Sequence, residues 1–279
     1  MPELPEVETV CRGLHRRIVG ETVKSVDVLR VDSIGYPAPA QFAKKMIGHT
    51  FHSVGRRGKY ILAQLDGGAG FACHLRMSGR LLFVDKKRAA DRFLRVRIKF
   101  ESGNELHFED MRVFGRLWYV PAKKTFEDVI PTLAELGLEP LEGLSGQHLQ
   151  EVFAARRGPI KNALLDQSVI AGVGNIYADE SLFLSNIHPL RRACDLKRKE
   201  LDKLVDVIRT VLERAIELGG STLRDYASAE GVNGNYQHDS WVYGRTGKEC
   251  RVCKTPIERA KIGGRSSHFC AKCQPRSKR

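Results

Sequence analysis

The chain has 279 residues, 42% hydrophobic and 28% charged. That balance supports a buried core and excludes collagen-like, low-complexity and disordered classes. No apolar run approaches the roughly 20 residues of a bilayer span, and Met1-Pro2-Glu3 is unlike a secretory signal, so neither is expected. Lys and Arg exceed Asp and Glu by 13, which points to a polyanionic partner.

Leu4, Val7, Cys11, Leu14 and Ile18 are spaced by threes and fours and predict an amphipathic helix. Pro5 suits its first turn, and Glu6 and Glu8 complement its positive end. From Thr22 to about Val120 the period becomes two. Leu94, Val96, Ile98 and Phe100 alternate with Arg95, Arg97 and Lys99, as in a half-buried strand with a basic outer face. Val23–Val31, Tyr60–Leu65, Phe71–Leu75, Arg80–Val84, Glu105–Phe108 and Arg116–Val120 read as further strands. So many short strands joined by Gly-rich turns suggest an antiparallel β-sandwich. Pro121 to Pro140 breaks the pattern and reads as a partly helical connection. Beyond it, Ile160–Leu165 and Ala178–Leu184 are short helices flanking the turn-like Ala171-Gly172-Val173-Gly174-Asn175. Leu201, Leu204, Val205, Ile208, Val211, Leu212, Ala215 and Ile216 share one helix face, which Gly219-Gly220 ends. The expected fold is α+β. A β-sandwich with a flanking N-terminal helix spans 1–121, a linker 122–140, a helical domain 141–238 and a zinc-bound β-hairpin appendage 239–279.

The appendage follows from cysteine spacing. Seven cysteines are too few for a disulfide scaffold and go with a reducing compartment. Four fall as Cys250-x2-Cys253 and Cys270-x2-Cys273, two knuckles able to close a tetrahedral zinc site. Four thiolates leave no position for water, so the metal expected is one structural Zn2+. Lys254 to Phe269 is long enough for a β-hairpin with an outward tip. Cys11, Cys73 and Cys194 read as buried small hydrophobes. Eleven Lys and Arg and only two acids lie in the last 38 residues, so nine of the thirteen excess charges sit there.

Pro2 is the most informative single residue. An initiator Met before a small residue is normally trimmed, which leaves a secondary amine at the terminus. An α-amino group titrates near 7.7–8.0, against about 10.4 for lysine, so a useful fraction is nucleophilic at neutral pH. Attack on a sugar aldehyde carbon gives an iminium, an electron sink that acidifies the adjacent carbon and permits loss of a 3′ phosphate. Glu3 beside it can shuttle protons. An ordinary Met-Pro opening is the competing reading.

Pro2-Glu3-Leu4-Pro5-Glu6-Val7-Glu8-Thr9 resembles the amino terminus of the bacterial formamidopyrimidine-DNA glycosylase family. His74-Leu75-Arg76-Met77-Ser78-Gly79 is similar to that family's H-L-x-M-S-G segment, and Asp110-Met111-Arg112-Val113-Phe114-Gly115 to its D-x-R-x-F-G loop. Gly172-Val173-Gly174-Asn175-Ile176-Tyr177-Ala178 is similar to the turn of its helix–two-turn–helix motif, and the cysteines match its zinc finger. Five such strings in order cover the whole chain and are specific together.

The resemblance implies a bifunctional DNA glycosylase and abasic-site lyase of base excision repair. It would excise oxidised purines such as 8-oxoguanine and formamidopyrimidines from double-stranded DNA through a Pro2 Schiff base, then carry out β,δ-elimination. Pro2 is implied as the nucleophile at C1′, Glu3 as acid/base, Lys59 as a phosphate contact assisting elimination, and Arg265 as the finger-tip arginine. Met77, Arg112 and Phe114 match residues that fill the void left by an extruded base. His74, Arg156, Arg157, Lys161 and Asn175 are implied DNA contacts, and Ser221 to Tyr236 corresponds to the loop that closes over the base. The family also implies a cytoplasmic bacterial monomer, nucleoid-associated while it searches DNA, with no membrane. Phe93 stands where the family carries a histidine, so Arg92 or Arg95 is expected to supply that phosphate contact. Two other readings are an endonuclease VIII-like glycosylase of oxidised pyrimidines and a non-catalytic, zinc-stapled DNA-binding protein.

Overall fold

The structure, a computed structural model, describes residues 2–84, 91–221 and 234–276. The chain divides into two compact units, Met1–Ala134 with Gly219–Gly234, and Glu135–Leu218 with Asn235–Arg279.

In the first unit the stripe near the amino terminus becomes α1 (Leu4–Ile18), with Leu4, Val7, Val10, Cys11, Leu14 and Ile18 all buried. Burying each larger aliphatic contributes about 1.5–3 kcal/mol. There follow β1 (Val23–Val28), β2 (Ile34–Tyr36), α2 (Pro39–Met46), β3 (Phe51–Arg57), β4 (Tyr60–Leu65), β5 (Gly70–His74), β6 (Gly79–Val84), β7 (Leu94–Phe100), β8 (Glu105–Asp110) and β9 (Arg116–Val120). They make a four-stranded sheet in the order β1-β7-β8-β6 and a five-stranded sheet in the order β2-β9-β5-β4-β3. The layered expectation holds, but not its uniform polarity: β2 runs parallel to β9. In β7 burial alternates without exception, as its sequence predicts.

α2, β2 and β3 were not expected, and each has a physical reason. α2 buries only Phe42 and Met46, too few positions to define a stripe. β2 is three residues long and exposed on two of them. In β3 the register slips between Phe51 and Ser53, so the buried residues, Phe51 and Val54, fall three apart. The two sheets share one core. Phe51 of the larger sheet meets Phe71 of the same sheet edge-on at 5.8 Å and Phe100 of the smaller at 6.0 Å. α3 (Phe126–Val129) and α4 (Pro131–Ala134), inside the segment expected as a linker, belong to this unit.

The second unit holds α5 (Gly146–Phe153), α6 (Ile160–Leu165), α7 (Asn175–Leu184), α8 (Arg198–Glu217), α9 (Tyr236–Asp239), β10 (Glu258–Ile262) and β11 (Arg265–Phe269). α8 buries Leu201, Leu204, Ile208, Leu212 and Ala215 against α5 and α7. α7 is buried from Ile176 to Phe183, all round rather than on one face, and forms the centre of the unit. β10 and β11 pair antiparallel through the two-residue turn Gly263-Gly264, with φ of +56° and +79°. Such a turn suits two left-handed glycines. A Cβ on Gly263 would also lie 2.2 Å from the Asn162 side chain of α6. Cys11 and Cys73 are buried as expected, whereas Cys194 is only half-buried. No helix among the described residues is long and apolar enough to cross a membrane.

Candidate nucleic-acid site and metal centre

Pro2 and Glu3 are buried at the start of α1. The Glu3 N–H donates to one carboxylate oxygen of buried Glu6 at 2.8 Å, and the Ser221 N–H donates to the other at 2.7 Å. Glu6 thereby satisfies an otherwise unpaired donor at the helix start and ties it to Ser221. Of the loop expected over Ser221 to Tyr236, residues 222–233 lie outside the described residues.

Lys59 sits in the turn between β3 and β4 and is buried. The strand ladder brings its neighbour Tyr60 opposite His74, their rings edge-on at 4.5 Å. The Arg76 N–H donates to His74 Nδ1 at 2.9 Å, which leaves Nε2 to carry the proton. Burial, then the charges of Arg76 and Lys59, lower the His74 pKa to about 3. It is therefore a neutral N–H donor at neutral pH.

Met77 is 41% exposed and Phe114 49%, large apolar groups left in solvent at the ends of two neighbouring turns. The Arg112 guanidinium lies over the Phe114 ring at 5.0 Å. The three residues expected to act together therefore share one surface of this unit. Arg95 and Arg92 divide: Arg95 Nε donates to the Asp110 carbonyl at 2.7 Å, whereas exposed Arg92 lies over the Phe93 ring at 4.6 Å.

In the second unit Lys161 is enclosed within the protein. Its side chain is 0% exposed, and its ammonium donates to Asp179, also 0% exposed, at 2.5 Å and to the Ser266 carbonyl at 2.8 Å. Asp179 further accepts from Ser267 Oγ at 2.9 Å and the His268 N–H at 2.9 Å. So enclosed, Lys161 ties β11 to α6 and α7. Asn175, the first residue of α7, also donates to the Ser266 carbonyl, at 2.9 Å. Both side chains thus fix the residue next to exposed Arg265, which follows the hairpin tip. Arg156 pairs with Asp166 at 2.7 Å, and Arg157 beside it is exposed.

The acids that do this anchoring are not among the residues singled out by motif or spacing. Buried Glu180 accepts the N–H groups of Trp241, Val242 and Tyr243 at 2.7, 3.0 and 2.8 Å, holding the chain that leads into the finger. Asp179-Glu180, two adjacent acids in a mostly apolar helix, is the available signal, because charge in such a place needs partners.

The sulfurs of Cys250, Cys253, Cys270 and Cys273 lie within 4.8 Å of one another. Cys250 and Cys273 are 3.9 Å apart, Cys253 and Cys270 3.4 Å. Tetrahedral Zn–S bonds of about 2.3 Å require sulfur separations of about 3.8 Å, so the four fit one structural zinc. Phe183, Val242 and Ile257 pack around the buried Cys250 and Cys270, while Cys253 and Cys273 are half-buried.

Family models match the chain in series: the formamidopyrimidine-DNA glycosylase N-terminal domain over residues 1–117, its H2TH domain over 136–227, and the zinc finger found in FPG and IleRS over 247–276. The chain belongs to the formamidopyrimidine-DNA glycosylase family. It is 52% identical to the formamidopyrimidine-DNA glycosylase of Gloeobacter violaceus over 98% of both chains. It is 47% identical to that of Thermosynechococcus vestitus over 99% of this chain and 98% of that one. Among solved structures it resembles a Lactococcus lactis Fpg variant in complex with a Fapy-dG containing DNA (TM-score 0.91, 33% identity, 99% of this chain and 100% of that one). It also resembles the same species' Fpg with abasic-site DNA (TM-score 0.89, 33% identity, 98% and 100%). A further Lactococcus lactis complex, at TM-score 0.90 and 33% identity over 99% and 100%, holds an oxidized pyrimidine containing DNA.

Proposed function

We propose that this protein excises oxidised purines from duplex DNA through Pro2 and then cleaves the strand on both sides of the sugar. It is a DNA glycosylase of base excision repair, and lyase activity is typical of its family. What carries the reading is the match of all three family segments in order along a chain whose second residue is proline. With Met1 removed, the Pro2 nitrogen bonds to C1′ as the glycosidic bond breaks and the base leaves with a proton. Ring opening gives the iminium. Glu3, buried beside the nucleophile, takes and returns protons. Loss of a C2′ proton then expels the 3′ phosphate, and a second elimination expels the 5′ phosphate. Lys59 and neutral His74 supply donors to phosphate. Met77, Arg112 and Phe114 occupy the space of the extruded nucleotide, with Arg112 able to hydrogen-bond the partner base. Asn175 and Arg265 bind the backbone from the second unit, and zinc holds the hairpin that carries Arg265.

Borohydride reduction with 8-oxoguanine duplex should leave a covalent adduct whose peptide maps to Pro2. No adduct, or full activity from a chain acetylated at its first residue, overturns the mechanism. An oxidised-pyrimidine duplex run in parallel fixes lesion preference, and faster excision there favours the endonuclease VIII-like reading.

A further inference from the structure

Among the connections in the first unit that carry the chain from one sheet to the other are residues 75–78, from β5 to β6, and residues 111–115, from β8 to β9. The ladder pairs His74 with Arg116 and Gly79 with Asp110, so the two connections lie side by side. Each contains a residue in the left-handed region that is not glycine, Arg76 at φ +53° and Val113 at φ +58°. A β-branched residue rarely adopts this conformation, so neighbouring bonds must impose it.

Those bonds converge on one carboxylate. Asp110, fully buried, accepts Ser78 Oγ at 2.5 Å and the Arg112 N–H at 3.1 Å on Oδ1, and the Gly115 N–H at 2.8 Å on Oδ2. Ser78 Oγ in turn accepts the Arg112 N–H at 3.1 Å. Arg116 closes the turn by donating to the Val113 and Gly115 carbonyls at 3.0 and 2.9 Å. There is no slack: a Cβ on Gly115 would stand 2.6 Å from the Phe108 ring and 3.2 Å from Asp110 Oδ2. Met77 precedes Ser78 at one end of this brace, Arg112 contributes its own N–H to it, and Phe114 lies between Val113 and Gly115.

We propose that Ser78 and Asp110 are positioning residues that lock the Met77 turn to the Arg112–Phe114 turn, so that the three exposed side chains enter the duplex as one rigid wedge. The proposal rests on the void-filling reading of those three residues. Preorganisation is the physical reason: a wedge ordered before contact spends none of its binding energy on being ordered. Asparagine cannot replace Asp110, because whichever way its amide points, one N–H of the brace faces an NH2 instead of an oxygen.

Two measurements on the full chain test this. The first is single-turnover excision of 8-oxoguanine from a paired duplex. The second is borohydride trapping on a single-stranded abasic oligonucleotide, which has no base to extrude. Asp110→Asn should slow excision 10- to 100-fold and Ser78→Ala 3- to 10-fold, with Ser78→Thr restoring most of the rate. Trapping should stay within twofold for the Ser78 variants, which keep the fold if Asp110→Asn does not. Arg112→Ala added to Ser78→Ala should cost less than Arg112→Ala alone. Unchanged excision in both Asp110→Asn and Ser78→Ala, while Met77→Ala and Arg112→Ala are slowed, overturns the brace. Equal loss in both assays for Ser78→Ala overturns it too, because the residue is then merely structural. If Met77→Ala and Arg112→Ala themselves leave excision unchanged, the void-filling reading fails and the brace with it.

Discussion

Replacing Lys161 by methionine separates a buried structural lysine from a DNA-contacting one. The substitution removes the ammonium and keeps the aliphatic volume, leaving the Asp179 carboxylate without its counter-charge at 0% exposure. Breaking a buried pair by removing one partner costs about 3–5 kcal/mol. Here the low end is expected, near 3 kcal/mol, because Asp179 keeps Ser267 Oγ and the His268 N–H as donors. At a urea m-value of about 3 kcal/mol/M, the unfolding midpoint of the second unit should fall by about 1 M. Trp241, stacked on Phe183 at 5.9 Å, reports it by fluorescence once Trp118, the other tryptophan, is made Phe. Adding Asp179→Asn to Lys161→Met removes the stranded charge and should recover stability, a non-additive result expected only of partners in contact. The salt dependence of DNA binding should keep its log–log slope, about −5 for roughly six phosphates. A midpoint shift below about 0.2 M, or a slope shallower by about 0.9, refutes the assignment, the second by showing a phosphate contact.

Three other outcomes are expected. Removing zinc with a chelator, or Cys270→Ser, should free the hairpin and weaken DNA binding at least tenfold by fluorescence anisotropy, with α8 helicity by circular dichroism little changed. His74 has its folded pKa lowered to about 3 by burial, Arg76 and Lys59, so the unfolded chain binds more protons between about pH 3 and 6.5. Stability should be fully retained above that window and fall with acid within it, by roughly 2 kcal/mol at pH 5, a slope that His74→Asn abolishes in urea melts. Arg92→Ala should reduce the salt slope by about 0.9, whereas Arg95→Ala should leave the slope unchanged and slow excision, since Arg95 holds the Asp110 carbonyl.

The parts legible in sequence are those in which a residue's environment follows from its neighbours in the chain. α1, α8 and β7 each bury one face of a regular element, so periodicity reports burial directly. The cysteine pairs report their own convergence, since two residues in a C-x-x-C turn are already close. Periodicity fails at β3, where one bulge changes the spacing of buried residues from two to three. It fails for Lys161 for a different reason. Its partners are Asp179 and Ser266, 18 and 105 positions along the chain, and no local pattern distinguishes an enclosed lysine from a solvated one. Phe93 lies between these cases. The departure was visible in sequence, but which neighbouring arginine remains outward depends on the Asp110 carbonyl 15 residues beyond Arg95.

In a chain with 13 excess positive charges the minority charge carries the geometric information. Cations that face a polyanion are solvated and mobile until it arrives, so their sequence positions specify little about shape. Burying a carboxylate is costly unless donors converge on it, and four buried acids here gather backbone N–H groups, three of them from a distant segment and Asp110 from its own turn. Glu6 takes Ser221, Asp110 takes Arg112 and Gly115, Asp179 takes His268, and Glu180 takes three residues leading to the finger. Several of these contacts fix the backbone beside a residue expected to touch DNA: Pro2, Met77 with Phe114, and Arg265. Charge-assisted hydrogen bonds from amides contribute about 1.5–3 kcal/mol each and are directional, which suits holding a turn more than filling a core. These buried acids therefore mark where the backbone beside the cations and wedge residues expected to face DNA is held in place.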